Sequence, residues 1–213
     1  MNNVAFDFED WGLIDFQAAW KRQKQIAEDI RLGRRRSTLV FCQHPTVITI
    51  GRNGTDANIV ASNEYLEKKG VYVAPINRGG DVTLHNPGQL VGYPIFRLTD
   101  FREDLHWFLR AIEECIIETI ATFGIIGGRE PGLTGVWVEG QRKICAIGIH
   151  CSRWITTHGF ALNVTNDVDE FSMIIPCGIS DRSVCSIQQE TRDKIDFADV
   201  SEACRTAFEK IFF

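Results

Sequence analysis

The chain has 213 residues and a mass of 24.1 kDa, enough to bury a full core in one folding unit covering residues 1–213. Hydrophobic residues make up 44% and charged residues 24%, a globular balance that excludes extended disorder. A formal net charge of −5 excludes a nucleic-acid partner held by bulk electrostatics.

Met1 to Asp7 has acid where a secretory leader needs a basic stretch, and no segment is apolar for long enough to span a bilayer, so a cytoplasmic protein with no membrane partner is expected. Phe16, Ala19, Trp20, Gln23, Ile26 and Ile30 recur at helical spacing and predict an amphipathic helix ending near Gly33. Arg31, Arg34, Arg35 and Arg36 follow, either as a solvated helix end whose cations suit the C-terminal dipole or as a local basic patch. Thr38 to Cys42 and Val47 to Ile50 read as two strands joined tightly through His44-Pro45. Ser62 or Asn63 caps a short helix through Lys69, Gly70 ends it, and Val71 to Ala74 is a strand. A glycine-rich loop from Arg78 to Gln89 leads into a strand over Leu90 to Leu98. After Asp100 comes a long helix from Leu105 to Phe123. Gly135 to Val138, Lys143 to Ile149 and Phe160 to Val164 predict an antiparallel meander with turns at Glu139-Gly140 and around Trp154 to His158. A last helix runs from about Ala198 to Phe212. The class is α/β in the α+β sense: a mixed, largely antiparallel sheet flanked by helices, laid on one side.

Seven cysteines, at 42, 115, 145, 151, 177, 185 and 204, are odd in number and form no CxxC pair, so neither a metal site nor a disulfide framework is indicated. Cys177 stands apart in Pro176-Cys177-Gly178, where proline and glycine make a loop that brings backbone close to a ligand. Arg78-Gly79-Gly80-Asp81-Val82-Thr83-Leu84-His85 is either a turn between strands or a pocket wall of backbone amides, since glycine removes the Cβ that would keep a substrate away. Its glycine spacing fits neither a Walker loop nor a dinucleotide fingerprint. His85 is a candidate to orient substrate or water, or a satisfied hydrogen-bonding residue. Lys143 opens an apolar strand in which alternation puts it on one face with Cys145 and Ile147. It either snorkels to water or lowers the pKa of a nearby thiol. Cys145 reads as core. His158-Gly159-Phe160-Ala161 offers a close approach and apolar residues for an alkyl chain.

In order, these segments spell Arg-Gly-Gly-x-x-Thr-x-His, Pro-Gly-Gln, Lys-Ile-x-x-x-Gly, His-Gly-x-Ala-Leu-Asn-Val and Pro-Cys-Gly between about Phe41 and Ile187. They resemble the lipoyl(octanoyl) transferase family, related in fold to biotin and lipoate protein ligases. The resemblance implies an acyltransferase that carries octanoyl from octanoyl-acyl carrier protein to a lysine of lipoyl domains, in 2-oxoacid dehydrogenase complexes and the glycine cleavage H protein. By resemblance Cys177 is the acyl-thioester nucleophile and Lys143 lowers its pKa and shuttles protons. Arg78 to His85 line the acyl site with Ala146, Ile147, Gly148, Gly159, Phe160 and Ala161, and neither cofactor nor metal is needed. Asn86 departs from the pattern's glycine, which predicts a polar side chain beside the pocket and an altered loop backbone. Acidic partners would need local cations, for which Arg34 to Arg36, Arg102, Arg142 and Arg153 are candidates. The alternatives are an ATP-dependent lipoate or biotin ligase, a thioester hydrolase and a non-catalytic lipoyl-domain binding module.

Overall fold

The computed structural model describes residues 5–175 and 182–213. Pro176, Cys177 and Gly178 therefore lie outside the described residues. In chain order come β1 (Asp7–Leu13), α1 (Phe16–Arg31), β2 (Thr38–Gln43), β3 (Val47–Ile50), α2 (Asn63–Lys69), β4 (Tyr72–Pro75), β5 (Val82–His85), β6 (Gln89–Ile95) and α3 (Leu105–Ala121). Then follow β7 (Gly127–Gly128), β8 (Val136–Val138), β9 (Arg142–Ser152), β10 (Ile155–Asn163), β11 (Ser183–Val184), α4 (Ile187–Thr191) and α5 (Phe197–Ile211). Among the described residues no helix is long and apolar enough to cross a membrane.

The helix starts are chemically marked. Asp15, Asp104 and Asp196 each accept a hydrogen bond from a first-turn amide, at Ala18, Trp107 and Ala198, and Ser62 does the same for Tyr65. Each such cap is worth about 1 kcal/mol. Gly70 ends α2 at φ 68°, in the left-handed region.

One large sheet runs β1-β2-β6-β10-β9-β8-β7, with β11 added alongside β9, and a second runs β4-β3-β5. The large sheet is antiparallel except for β1 on β2 and β11 on β9. The two strands flanking His44-Pro45 both form but do not pair. Instead β2 joins the large sheet and β3 the small one, so the link switches sheets. The β9–β10 turn is also tighter than expected: Arg153 and Trp154, both at positive φ, make the reversal and the strand resumes at Ile155.

Helices cover both faces of the large sheet rather than one. Leu39 and Phe41 of β2 face a core shared with Ile112 and Ile116 of α3 and Phe208 of α5. Val40 and Cys42 face the opposite core, with Ala19, Ile26 and Ile30 of α1. The unbroken run Leu39-Val40-Phe41-Cys42 is what a strand buried on both sides requires. A third core lies under the small sheet, where Ile48 and Leu84 meet Leu66, Phe171 and Ile174.

Candidate active site

The loop that connects β4 to β5 is laid across β9. The amide of Gly79 donates to the Ile149 carbonyl at 2.8 Å, and Gly148 makes the approach possible, because a Cβ there would sit 2.8 Å from the Gly79 oxygen. On its other side the loop is sewn to residues 51–53 by amides that donate to the carbonyls of Arg78, Gly80 and Asp81. Arg78 is buried, and its guanidinium donates to the Thr49 carbonyl (2.8 Å) and hydroxyl (3.0 Å), clamping the loop onto β3. The Gly79 amide expected to face a substrate is therefore engaged within the fold.

These contacts wall a cavity of about 680 Å³ between the two sheets. Arg78–Thr83, His85, Lys143, Ala146–Gly148 and Gly159–Ala161 all line it. Leu84 does not line it and is fully buried in the core under the small sheet. Its neighbours in β5 alternate away from it, which puts Thr83 and His85 on the cavity. The apolar wall is completed by Phe16, Val91 and Ile149, and by Leu105 and Leu109 one turn apart at the start of α3. The leucines were unassigned by sequence, where the available signal was their four-residue spacing at a helix start.

His85 and His158 belong to the cavity wall and are uncharged near neutral pH. Burial pushes His85 down to about 3, with the neighbouring His44 acting the same way. Burial, reinforced by Arg78, does the same to His158, also to about 3. Nδ1 of His85 lies 2.7 Å from Gln89 Oε1, and its ring stacks on Phe16. Gln89 Nε2 donates to Asn163 and Leu84, so its oxygen accepts and Nδ1 carries the imidazole proton. His158 sits at φ 60° inside β10, held by its amide on Gln23 Oε1 and by Nε2 at 2.8 Å from Asn77 Oδ1. A non-glycine residue in that region costs of order 1 kcal/mol or more and persists only where the surroundings enforce it.

Lys143 lies on the same wall, 8% exposed, with Nζ 4.6 Å from the centre of the Trp137 ring. Its placement with Ala146, not with Cys145, corrects the expected alternation. The register slips between Val136 and Trp137, so Ile144 is an extra residue in β9, and Ile144 and Cys145 both enter the core. Burial pushes the Cys145 thiol up, as expected of a core cysteine, and burial raises all five other described cysteines. Among them only Cys151 touches the cavity.

Two further observations concern polar residues. Asn86 is 2% exposed and lies off the cavity at ordinary, not left-handed, φ. Its side chain meets Asn166, Asp167 and Glu170. Most of the candidate docking arginines are tied to carboxylates: Arg34 to Asp29, Arg35 to Glu9, Arg36 to Asp7, Arg102 to Asp104, and Arg142 to both Glu139 and Glu190. Asn58, which sequence reasoning passed over, links the cavity to the chain just before residue 176. Its Nδ2 donates to Asp81 Oδ2 (2.6 Å), and its carbonyl accepts from the Ile175 amide (2.8 Å).

The sequence matches the lipoyl protein ligase A/B catalytic domain over residues 15–209. The chain belongs to that family. Similar curated proteins are the octanoyltransferases of Cytophaga hutchinsonii, 46% identical across 91% of this chain and 87% of that protein, and of Solibacter usitatus, 46% identical across 94% and 90%. That of Flavobacterium psychrophilum is 41% identical across 99% of this chain and 97% of its own. Alignment at this level with octanoyltransferases makes the chain an acyltransferase of the family. Among solved structures, the bipartite lipoate protein ligase of Thermoplasma acidophilum superposes with a TM-score of 0.74 at 17% identity, covering 98% of this chain and 84% of that one. A biotin protein ligase from Aquifex aeolicus does so at 0.57 and 14%, covering 98% and 70%. These two establish the shared fold alone.

Proposed function

We propose that this protein transfers octanoyl from octanoyl-acyl carrier protein to a lysine of lipoyl domains, through a thioester on Cys177. The Cys177 thiolate attacks the octanoyl thioester carbonyl, and the carrier sulfur leaves as a thiol by taking a proton from the Lys143 ammonium, which leaves Lys143 a neutral amine. The acceptor lysine amine then attacks the enzyme thioester, its proton passes to Lys143, and the Cys177 thiolate is released. The observation that carries this reading is convergence: three motif segments far apart in sequence, and Lys143, meet at one largely apolar cavity of a size to take a medium-length acyl chain. Further support comes from the flanks of residue 177. Ile175 is held through Asn58 to Asp81 on the cavity wall, and β11 pairs with Arg142 and Lys143 at the start of β9. Burial raises the thiols of the six described cysteines, which disfavours the thiolate form in each. Lipoyl domains of 2-oxoacid dehydrogenase complexes and the glycine cleavage H protein are the proposed acceptors.

Intact-mass measurement after incubation with octanoyl-acyl carrier protein tests the reading. One octanoyl group should appear on the protein without added nucleotide, pass to a lipoyl domain on mixing, and be absent from Cys177→Ser. A requirement for ATP and free octanoate would instead assign a ligase reaction, and loss of the acyl group to water alone would assign a hydrolase.

A further inference from the structure

Behind the cavity wall runs a continuous chain of buried side-chain amides. It starts at His85, whose Nδ1 donates to Gln89 Oε1 (2.7 Å), and Gln89 Nε2 donates to Asn163 Oδ1 (2.9 Å). Asn166 Nδ2 donates to both Asn163 Oδ1 (3.1 Å) and Asn86 Oδ1 (2.9 Å). Asn86 Nδ2 then donates to the Asp167 carbonyl and to Glu170 Oε2, each at 2.8 Å. A branch leaves at Asn163, whose Nδ2 donates to the Cys185 carbonyl at 3.0 Å. The side chains of Gln89, Asn163, Asn166 and Asn86 are 5% exposed or less, and every amide uses both its oxygen and its nitrogen. The direction of donation is consequently fixed along the whole chain, and one break leaves buried groups unpaired.

The two ends of the chain bear on the reaction. Glu170 and Cys185 lie on either side of Cys177 in the sequence, and His85 lines the cavity. We infer that this amide chain is a positioning device that registers both flanks of the Cys177 segment against the acyl cavity, with Asn86 as the member that grips the upstream flank. The inference rests on the acyl-transfer reading above. Asn86 does not itself line the cavity, so its effect is on the rate of acylation and not on which acyl chain fits.

Asn86→Gly tests it, because the backbone at residue 86 is in an ordinary region that glycine also adopts. In single-turnover acylation followed by intact mass, the first-order rate at saturating octanoyl carrier should fall by ~10-fold, the effect of a sub-ångström misplacement of the reacting group. The carrier concentration for half-maximal rate and the preference among six-, eight- and ten-carbon chains should stay within about twofold, which a loosened cavity would not allow. Glu170→Ala should have a similar effect, and the double variant should be no slower than the worse single one, since both break the same link. Hydrogen exchange should accelerate in Asn86→Gly for peptides spanning 167–175. An acylation rate within about twofold of wild type, a changed chain-length preference, or unaltered exchange would each overturn the inference. Should wild type itself form no acyl-enzyme, the acyl-transfer reading fails instead, and the exchange comparison alone still decides whether Asn86 grips this segment.

Discussion

The neutral histidines of the cavity wall make the protein acid-labile in a defined window. His85 and His158 have folded pKa values near 3, against 6.5 for the ordinary side chain. Each is neutral when folded, while the unfolded chain binds a proton below about 6.5. The unfolded state therefore holds more protons, and stability falls as pH drops from about 6.5 toward about 3. At pH 5 each histidine removes about 2 kcal/mol, so the pair removes about 4 kcal/mol of a total that is typically about 5–15 kcal/mol. His44, also lowered by burial, acts in the same direction. Depressed carboxylates do not confuse this window. Glu190, held low by hydrogen bonds from Arg142, contributes stability that is present above its ordinary value of 4.5 and is lost only below it. Urea unfolding at constant ionic strength, at pH 7 and pH 5, measures the difference. His158→Asn, which tolerates φ 60° and cannot titrate, should reduce the loss by roughly half. A fall of less than about 1 kcal/mol in wild type, or an identical fall in His158→Asn, would refute the account of a wall of buried neutral imidazoles.

Three other perturbations separate the roles of neighbouring residues. Lys143→Met removes the cation from the cavity wall. Iodoacetamide alkylation of Cys177 should then shift upward by about one pH unit or more, and transfer to the lipoyl domain should fall further than acylation, because the second step also loses its proton acceptor. An unshifted alkylation profile in a folded variant would remove Lys143 from thiol activation. Cys145→Ser places a hydroxyl in a fully buried site and should cost about 1–3 kcal/mol in chemical denaturation while keeping the octanoyl adduct; loss of the adduct from folded protein would implicate Cys145 in the chemistry. Gly148→Ala would drive a Cβ to 2.8 Å from the Gly79 oxygen and 3.1 Å from Arg78 Cδ. It should destabilise by about 1–3 kcal/mol and change the relative use of six-, eight- and ten-carbon donors, and unchanged values of both would mean the loop does not press on β9.

What the sequence made legible was local. The glycine-rich segments were legible as candidate pocket walls because glycine permits close approach, and the start of α2 because Ser62 precedes its helix. What it hid was long-range pairing. Nothing near Arg78 in sequence shows that its guanidinium also binds Thr49, so that a residue on the cavity wall clamps its own loop onto β3. Asn86 read as an intrusion into the cavity because its neighbours are cavity residues. Its partners at 166, 167 and 170 come from a segment some eighty positions away. The strand β1 was invisible because Asp7-Phe8-Glu9-Asp10-Trp11 shows no buried face: it is an edge strand held by β2 and by ion pairs from Arg35 and Arg36. Of the four arginines beside α1, Arg35 and Arg36 thus pair with β1, while Arg31 and Arg34 pair with carboxylates of α1 itself.

The placement of Lys143 shows how such a long-range effect reaches the chemistry. In a regular strand, residues 143 and 146 point to opposite faces, and a lysine sharing a face with Cys145 would be driven into the core. The extra residue at Ile144 reverses this over one pair, setting Lys143 beside Ala146 on the cavity and allowing its ammonium to rest on Trp137. The slip has to be held, because a bulge leaves the ladder incomplete. Gly135, at φ 123°, turns into it at a point where a Cβ would strike the Cys145 carbonyl, and its amide donates to the buried Glu113 at 3.1 Å. Glu113 is in turn bound by Arg110 (2.6 Å) and Arg129 (3.0 Å), which offset the cost of a buried carboxylate. A charge cluster of Arg110 and Glu113 on α3 with Arg129 beyond it therefore fixes the backbone that decides which way the candidate proton acceptor faces, and no spacing rule applied to Lys143 and its neighbours in β9 contains that information.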